Sequence, residues 1–185
     1  MAAMRTIFRI WALVGTLLLV GGLGSAQAAK AGFAEFEGTF KGKPTGIVYS
    51  SLSMTATVNI AVKVPKSGKQ AVVTVTGFVV YSGSTFPLSG TMVFTRNTVT
   101  VSDVLFNLLA APGPGSGSVA LNKRGTALTY NVVYPPEPTI PMSGAMKVNP
   151  QGKKKKKLTL TFNIAAGSTV YNFVFEGTAK VKPEK

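Results

Sequence analysis

Alternation of apolar and polar residues runs along the chain from Phe33 to Val181, and a period of two marks strands with one buried face. The cleanest run carries Leu52, Met54, Ala56, Val58, Ile60, Val62 and Val64 in one phase and Ser53, Thr55, Thr57, Asn59, Ala61 and Lys63 in the other. One phase meets a core and the other meets water. Before it, Phe33 to Phe40 reads as a first strand, turned by Lys41-Gly42-Lys43-Pro44, and Gly46 to Tyr49 as a short strand. Ser50-Ser51 then makes either a hairpin or a bulge. Further strands are expected over Ala71 to Tyr81, Phe86 to Thr95, Val99 to Phe106, Val119 to Leu121, Leu128 to Tyr134, Ile140 to Val148, Leu158 to Ile164 and Tyr171 to Val181. The one long connection is Asn107 to Gly117, whose Pro112-Gly113-Pro114-Gly115 is incompatible with helix or strand.

These are about ten or eleven strands joined by short turns, an all-β antiparallel up-and-down meander that must close or protect its edges. A closed or nearly closed barrel is the expected solution, with a two-sheet sandwich as the alternative. A motif repeated in four strands supports strong curvature: Phe36-Glu37-Gly38-Thr39, Leu88-Ser89-Gly90-Thr91, Met142-Ser143-Gly144-Ala145 and Phe175-Glu176-Gly177-Thr178. Each Gly falls in the apolar phase, where it packs nothing, and Gly recurring there predicts sharp bends. The two middle copies extend into a longer match, Val79-Val80-Tyr81 through Met92 against Val132-Val133-Tyr134 through Met146, which reads as duplicated hairpins.

The first 28 residues read differently. Arg5 and Arg9 form a basic region, Ile10 to Leu23 an apolar one, and Ala26-Gln27-Ala28 a small-residue cleavage site; together they describe a secretory signal peptide. Residues 29–185 are then a single domain, exported to the periplasm or the exterior. The sequence has no Cys, so export brings no disulfide and the core must suffice.

Charge adds a second layer. The formal net charge is +14 with no His, and such a balance favours anionic partners. In a meander alternate turns emerge at the same end. The turns holding Lys66 and Lys69, Arg96, Lys123 and Arg124, and Lys153, Lys154, Lys155, Lys156 and Lys157 share one parity, and the C-terminal Lys180, Lys182 and Lys185 reach that end too. The opposite turns, Ser82-Gly83-Ser84, Asn107 to Gly117, Pro135 to Pro138 and Ala166 to Ser168, carry no Lys or Arg. One end should be strongly positive and the other neutral. Lys41 and Lys43 join the positive end only if Ser50-Ser51 is a true hairpin.

Catalytic chemistry is poorly provided for. Without His or Cys the usual general base, thiol nucleophile and zinc ligands are missing, so no enzyme, metal or cofactor is expected. Glu37 and Glu176 hold equivalent places in two motif copies, and surface pairing with a neighbouring Lys is their expected role. The sequence therefore points to a monomeric, non-enzymatic exported barrel that binds polyanions through its basic rim: an acidic polysaccharide, lipopolysaccharide or a phospholipid surface. Specific nucleic-acid recognition is not expected, because no exposed aromatics interleave the basic residues. One alternative is a calycin-like carrier with an apolar small molecule inside the barrel, reached from the neutral end beneath Leu108 and Leu109. A small outer-membrane barrel is the other.

Overall fold

The computed structural model describes residues 32–49, 52–53, 55–102, 114–135, 140–166 and 169–181. Ala31–Lys185 forms one compact unit. Its strands are β1 (Gly38–Tyr49), β2 (Leu52–Ser53), β3 (Thr55–Lys63), β4 (Gln70–Tyr81), β5 (Ser84–Thr95), β6 (Thr98–Ser102), β7 (Gly115–Leu121), β8 (Ala127–Tyr134), β9 (Ile140–Gln151), β10 (Lys155–Ala166) and β11 (Thr169–Lys180). Each long strand pairs antiparallel with its sequence neighbours, and β11 pairs with β1. The meander thus closes into a ten-stranded antiparallel barrel, with β2 a short appendix to β1. Closure leaves no long edge for another chain to join.

The period-two pattern explains the wall. Val58, Ile60 and Val62 of β3, Val73, Val75 and Val79 of β4, and Leu158, Leu160, Phe162 and Ile164 of β10 all point inward and are at most 2% exposed. The outward positions between them are Asn59 and Ala61 in β3, Thr74, Thr76 and the exposed Phe78 in β4, and Thr159, Thr161 and Asn163 in β10. Inside, the Phe162 and Phe173 rings stack at 4.5 Å and Phe94 meets Tyr130 edge-on at 5.4 Å. Aromatic side chains thus pack against one another within the described interior.

The beginning of the fold departs from the sequence expectation. Phe33 to Phe40 is not one strand: Ala34–Phe36 is a 3-10 turn and β1 begins only at Gly38. Phe33 and Phe36 stand three residues apart, which is the spacing of that turn and breaks the alternation. Both are buried and lie against each other. Lys41-Gly42-Lys43-Pro44 is not a turn either, since β1 runs through it, paired with Thr178, Gly177, Glu176 and Phe175 of β11. Gly42 is required there because a Cβ would collide with the Glu176 carbonyl. Pro44, which has no N–H to give a ladder, sits where the register shifts before Gly46, as proline in a sheet must.

At Ser50-Ser51 the pairs Val48–Ser53 and Tyr49–Leu52 make a hairpin; residues 50 and 51 lie outside those described. Part of the expected long connection is also strand. Gly115 to Gly117 opens β7, paired with β6 and β8. The sites of the absent Cβ atoms are taken by Tyr134 and Val132 at Gly115 and by the Asn131 carbonyl at Gly117. Residues 103–113, with Leu108 and Leu109, lie outside the described set.

One of the repeated glycines, Gly144, makes room for an aromatic ring. Gly144 pairs directly with Tyr130 across β8 and β9, and a Cβ on it would strike the Tyr130 phenol and the Thr161 carbonyl. Tyr130 lies over the glycine and donates its hydroxyl proton to that carbonyl at 3.0 Å. The duplicated hairpins are slipped relative to each other, for Gly90 pairs with Val75 while Gly144 pairs with Tyr130, and Tyr130 matches Gly77 in the repeat. The slip follows the longer connection between β8 and β9, and its even step keeps every side chain on its own face.

Candidate functional site

The consecutive pairing puts the β3–β4, β5–β6, β7–β8 and β9–β10 turns at one end, together with the start of β1 and the end of β11. Lys66, Lys69, Arg96, Lys123, Arg124, Lys153 and Lys154 sit on those turns, all exposed. The lysine run is not wholly a turn. Gly152, with φ of 71°, starts the reversal, and Lys155, Lys156 and Lys157 already belong to β10. They alternate accordingly: Lys155 and Lys157 face outward, while Lys156 leans over the barrel end.

The N-terminal segment shows how close these turns are. The Phe33 N–H donates to the Gly68 carbonyl at 3.0 Å. Gly125, beside Lys123 and Arg124, is packed against the Gly32 carbonyl. The Lys156 ammonium donates to the Glu35 carbonyl at 2.8 Å. Residues 32–36 thus cross the end from turn to turn, with Phe33 and Phe36 sealing it from within. Further backbone bonds tie the rim together: Val119 to Asn97, Val148 to Thr126 and Val181 to Lys154.

Two members of the basic set already have partners. Lys156 holds the N-terminal segment, and Lys157 pairs with Glu176 at 2.8 Å, each about a third exposed. The pairing of Glu176 with a lysine follows the sequence expectation. Lys41 and Lys43 stand on the outer wall of β1, no further than its midpoint from the same end. The hairpin condition for their joining that end is met, although not as turn residues. At the opposite end the described turn residues Ser82, Gly83, Ser84 and Pro135 carry no charge. Sequence reasoning missed the capping segment; the Phe33 and Phe36 spacing was its signal.

Two interior hydroxyls complete the chemistry of the barrel. Burial pushes the Tyr130 phenol well above the ordinary tyrosine range, and repulsion from Tyr134 adds to it. Burial likewise raises Tyr134, whose hydroxyl lies 3.7 Å from the Met142 sulfur. Both stay protonated at neutral pH and act as packing groups with a satisfied polar tip.

The fold and this site define a closed antiparallel barrel with one basic, sealed end. No protein-family model and no curated protein matches the chain. Among solved structures, the S-type phycobiliprotein lyase CPES from Guillardia theta is similar in fold, with a TM-score of 0.45 and 8% identity over 82% of this chain and 92% of that one.

Proposed function

We propose that this protein is an exported, non-enzymatic barrel whose basic end binds polyanions of an envelope or matrix. The carrying observation is the segregation of charge. Every described Lys and Arg lies between the midpoint of the barrel wall and the sealed end, and most are exposed. Such a field draws anionic surfaces and orients them toward that end. The signal-like first 28 residues support export, where such polyanions are found. Heparin chromatography tests the reading. Replacing Lys153, Lys154 and Lys155 by Ser should bring elution to clearly lower salt, because exposed charges are screened within about 10 Å at 0.1 M. Failure of the unaltered protein to bind would overturn it.

A second reading, a carrier of an apolar small molecule, is supported by the barrel itself. Its interior is apolar and aromatic, one end is sealed by Phe33 and Phe36, and access would be from the neutral end. A ligand would have to displace inward side chains that now touch one another. Titration with the fluorescent probe N-phenyl-1-naphthylamine separates the readings: saturable enhancement competed by a fatty acid supports the carrier, and none removes it. The Thr and Asn that predominate on the outer faces of β3, β4 and β10 speak against an outer-membrane barrel, which would need an apolar outer band.

A further inference from the structure

Outside the barrel, where β10, β11 and β1 meet at the basic end, the wall is indented by a groove of about 480 Å³ lined by Glu37, Thr39, Lys41, Lys155, Thr178 and Lys180. The register explains how these residues converge. Lys155 of β10 stands directly opposite Lys180 of β11, and Thr178 stands directly opposite Lys41 of β1. Like charges facing each other across strands are destabilising, and closure of the barrel by β11 and β1 brings in the third lysine. The next outward lysine, Lys157, is neutralised by Glu176. Among the described residues Lys41, Lys155 and Lys180 have no ion pair or hydrogen bond from their ammonium groups. The seam therefore holds repelling cations in a concave place that Glu37 also lines.

Resting on the polyanion reading, we propose that this groove seats one sulfate or phosphate ester group of an acidic glycan together with the sugar that carries it. The three ammoniums supply point charges to a tetrahedral oxyanion. The Thr39 and Thr178 hydroxyls supply short donors. The Glu37 carboxylate has no part in holding an anion, but it accepts hydrogen bonds from the hydroxyls of a sugar ring. Pockets that take small ligands start at about 300 Å³, so the volume suits a sugar unit and exceeds the needs of a bare ion.

The test is isothermal titration of the purified protein with a short heparin oligosaccharide. Lys41→Ser with Lys180→Ser should weaken binding by roughly tenfold or more, since hydrogen bonds to charged groups are the stronger class. Lys66→Ser with Lys69→Ser removes the same charge from the same end and should weaken it far less. Equal losses in the two double variants would overturn the groove and leave the basic rim standing. No binding by the unaltered protein would overturn both. Glu37→Ala tests the sugar by the sign of its effect: removing a negative charge strengthens binding if charge alone attracts, whereas the proposal requires weakening. Displacement of the oligosaccharide by inorganic sulfate at equal concentration would likewise overturn the sugar assignment.

Discussion

The two ends of this barrel come from one meander, yet they differ in what closes them. At the basic end the turns are short, two of them and Lys156 of β10 touch the segment 32–36, and two phenylalanines complete the core. At the other end the described turn residues are small or proline and uncharged. Cations gather where the backbone is tied down. A sealed, charged end offers a fixed surface to a large anion, whereas an apolar ligand would have to use the neutral end. The comparison separates the two functional readings by location, and it can be broken or sharpened in steps.

Phe36→Ala carries the largest expected effect. Phe36 is wholly buried, and deleting a buried aromatic side chain costs about 3–5 kcal/mol. A large fall in the urea midpoint is expected; a loss below about 1 kcal/mol, no more than a typical point mutation, would mean that the seal is not part of the core. Next comes Gly144→Val, which forces branched carbon against the Tyr130 phenol and the Thr161 carbonyl. Overpacking of this kind costs about 1–3 kcal/mol. An unchanged midpoint would show slack in the interior and would strengthen the carrier reading.

A third prediction concerns alkali. In the unfolded chain Tyr130 and Tyr134 ionise near their ordinary value of 10.0, and in the fold both are raised by burial. Their contribution is therefore whole below the unfolded value and is lost as the pH climbs toward the folded one. The urea midpoint should fall above about pH 10, less steeply in Tyr130→Phe. A midpoint insensitive to alkali would mean that water already reaches these phenols, most simply through the neutral end beside Tyr134. The smallest effect belongs to Lys157 and Glu176. Their ion pair is partly exposed, with 35% and 38% of each side chain accessible, and a double-mutant cycle should give under about 1 kcal/mol. A larger coupling would make the seam a structural salt bridge and weaken the case for its neighbours as ligand groups.

Most of the wall was legible in the sequence because period-two alternation, short turns and turn parity are local properties. Val58, Ile60 and Val62 faced inward as their spacing required, and Arg96-Asn97 turned where two runs met. What was not legible depended on partners distant in sequence. Lys41-Gly42-Lys43-Pro44 has the composition of a turn, and only the approach of the Glu176 carbonyl explains its extended course. Gly115 to Gly117 reads as loop until the neighbouring Asn131 carbonyl and Tyr134 ring are known to occupy the missing Cβ positions. The groove was invisible for the same reason, since Lys155, Lys180 and Lys41 meet only when the last strand closes on the first.

The central claim is that the position of the cations, and not their number, confers binding. Heparin elution of two variants tests it directly. Lys123→Ser with Arg124→Ser removes charge from the β7–β8 turn, and a second variant adds Ser84→Lys and Thr85→Lys at the opposite end, restoring the net charge. Both sets of positions are exposed. The account predicts that the first variant elutes at lower salt and that the second does not recover. Full recovery by the relocated charges would contradict it.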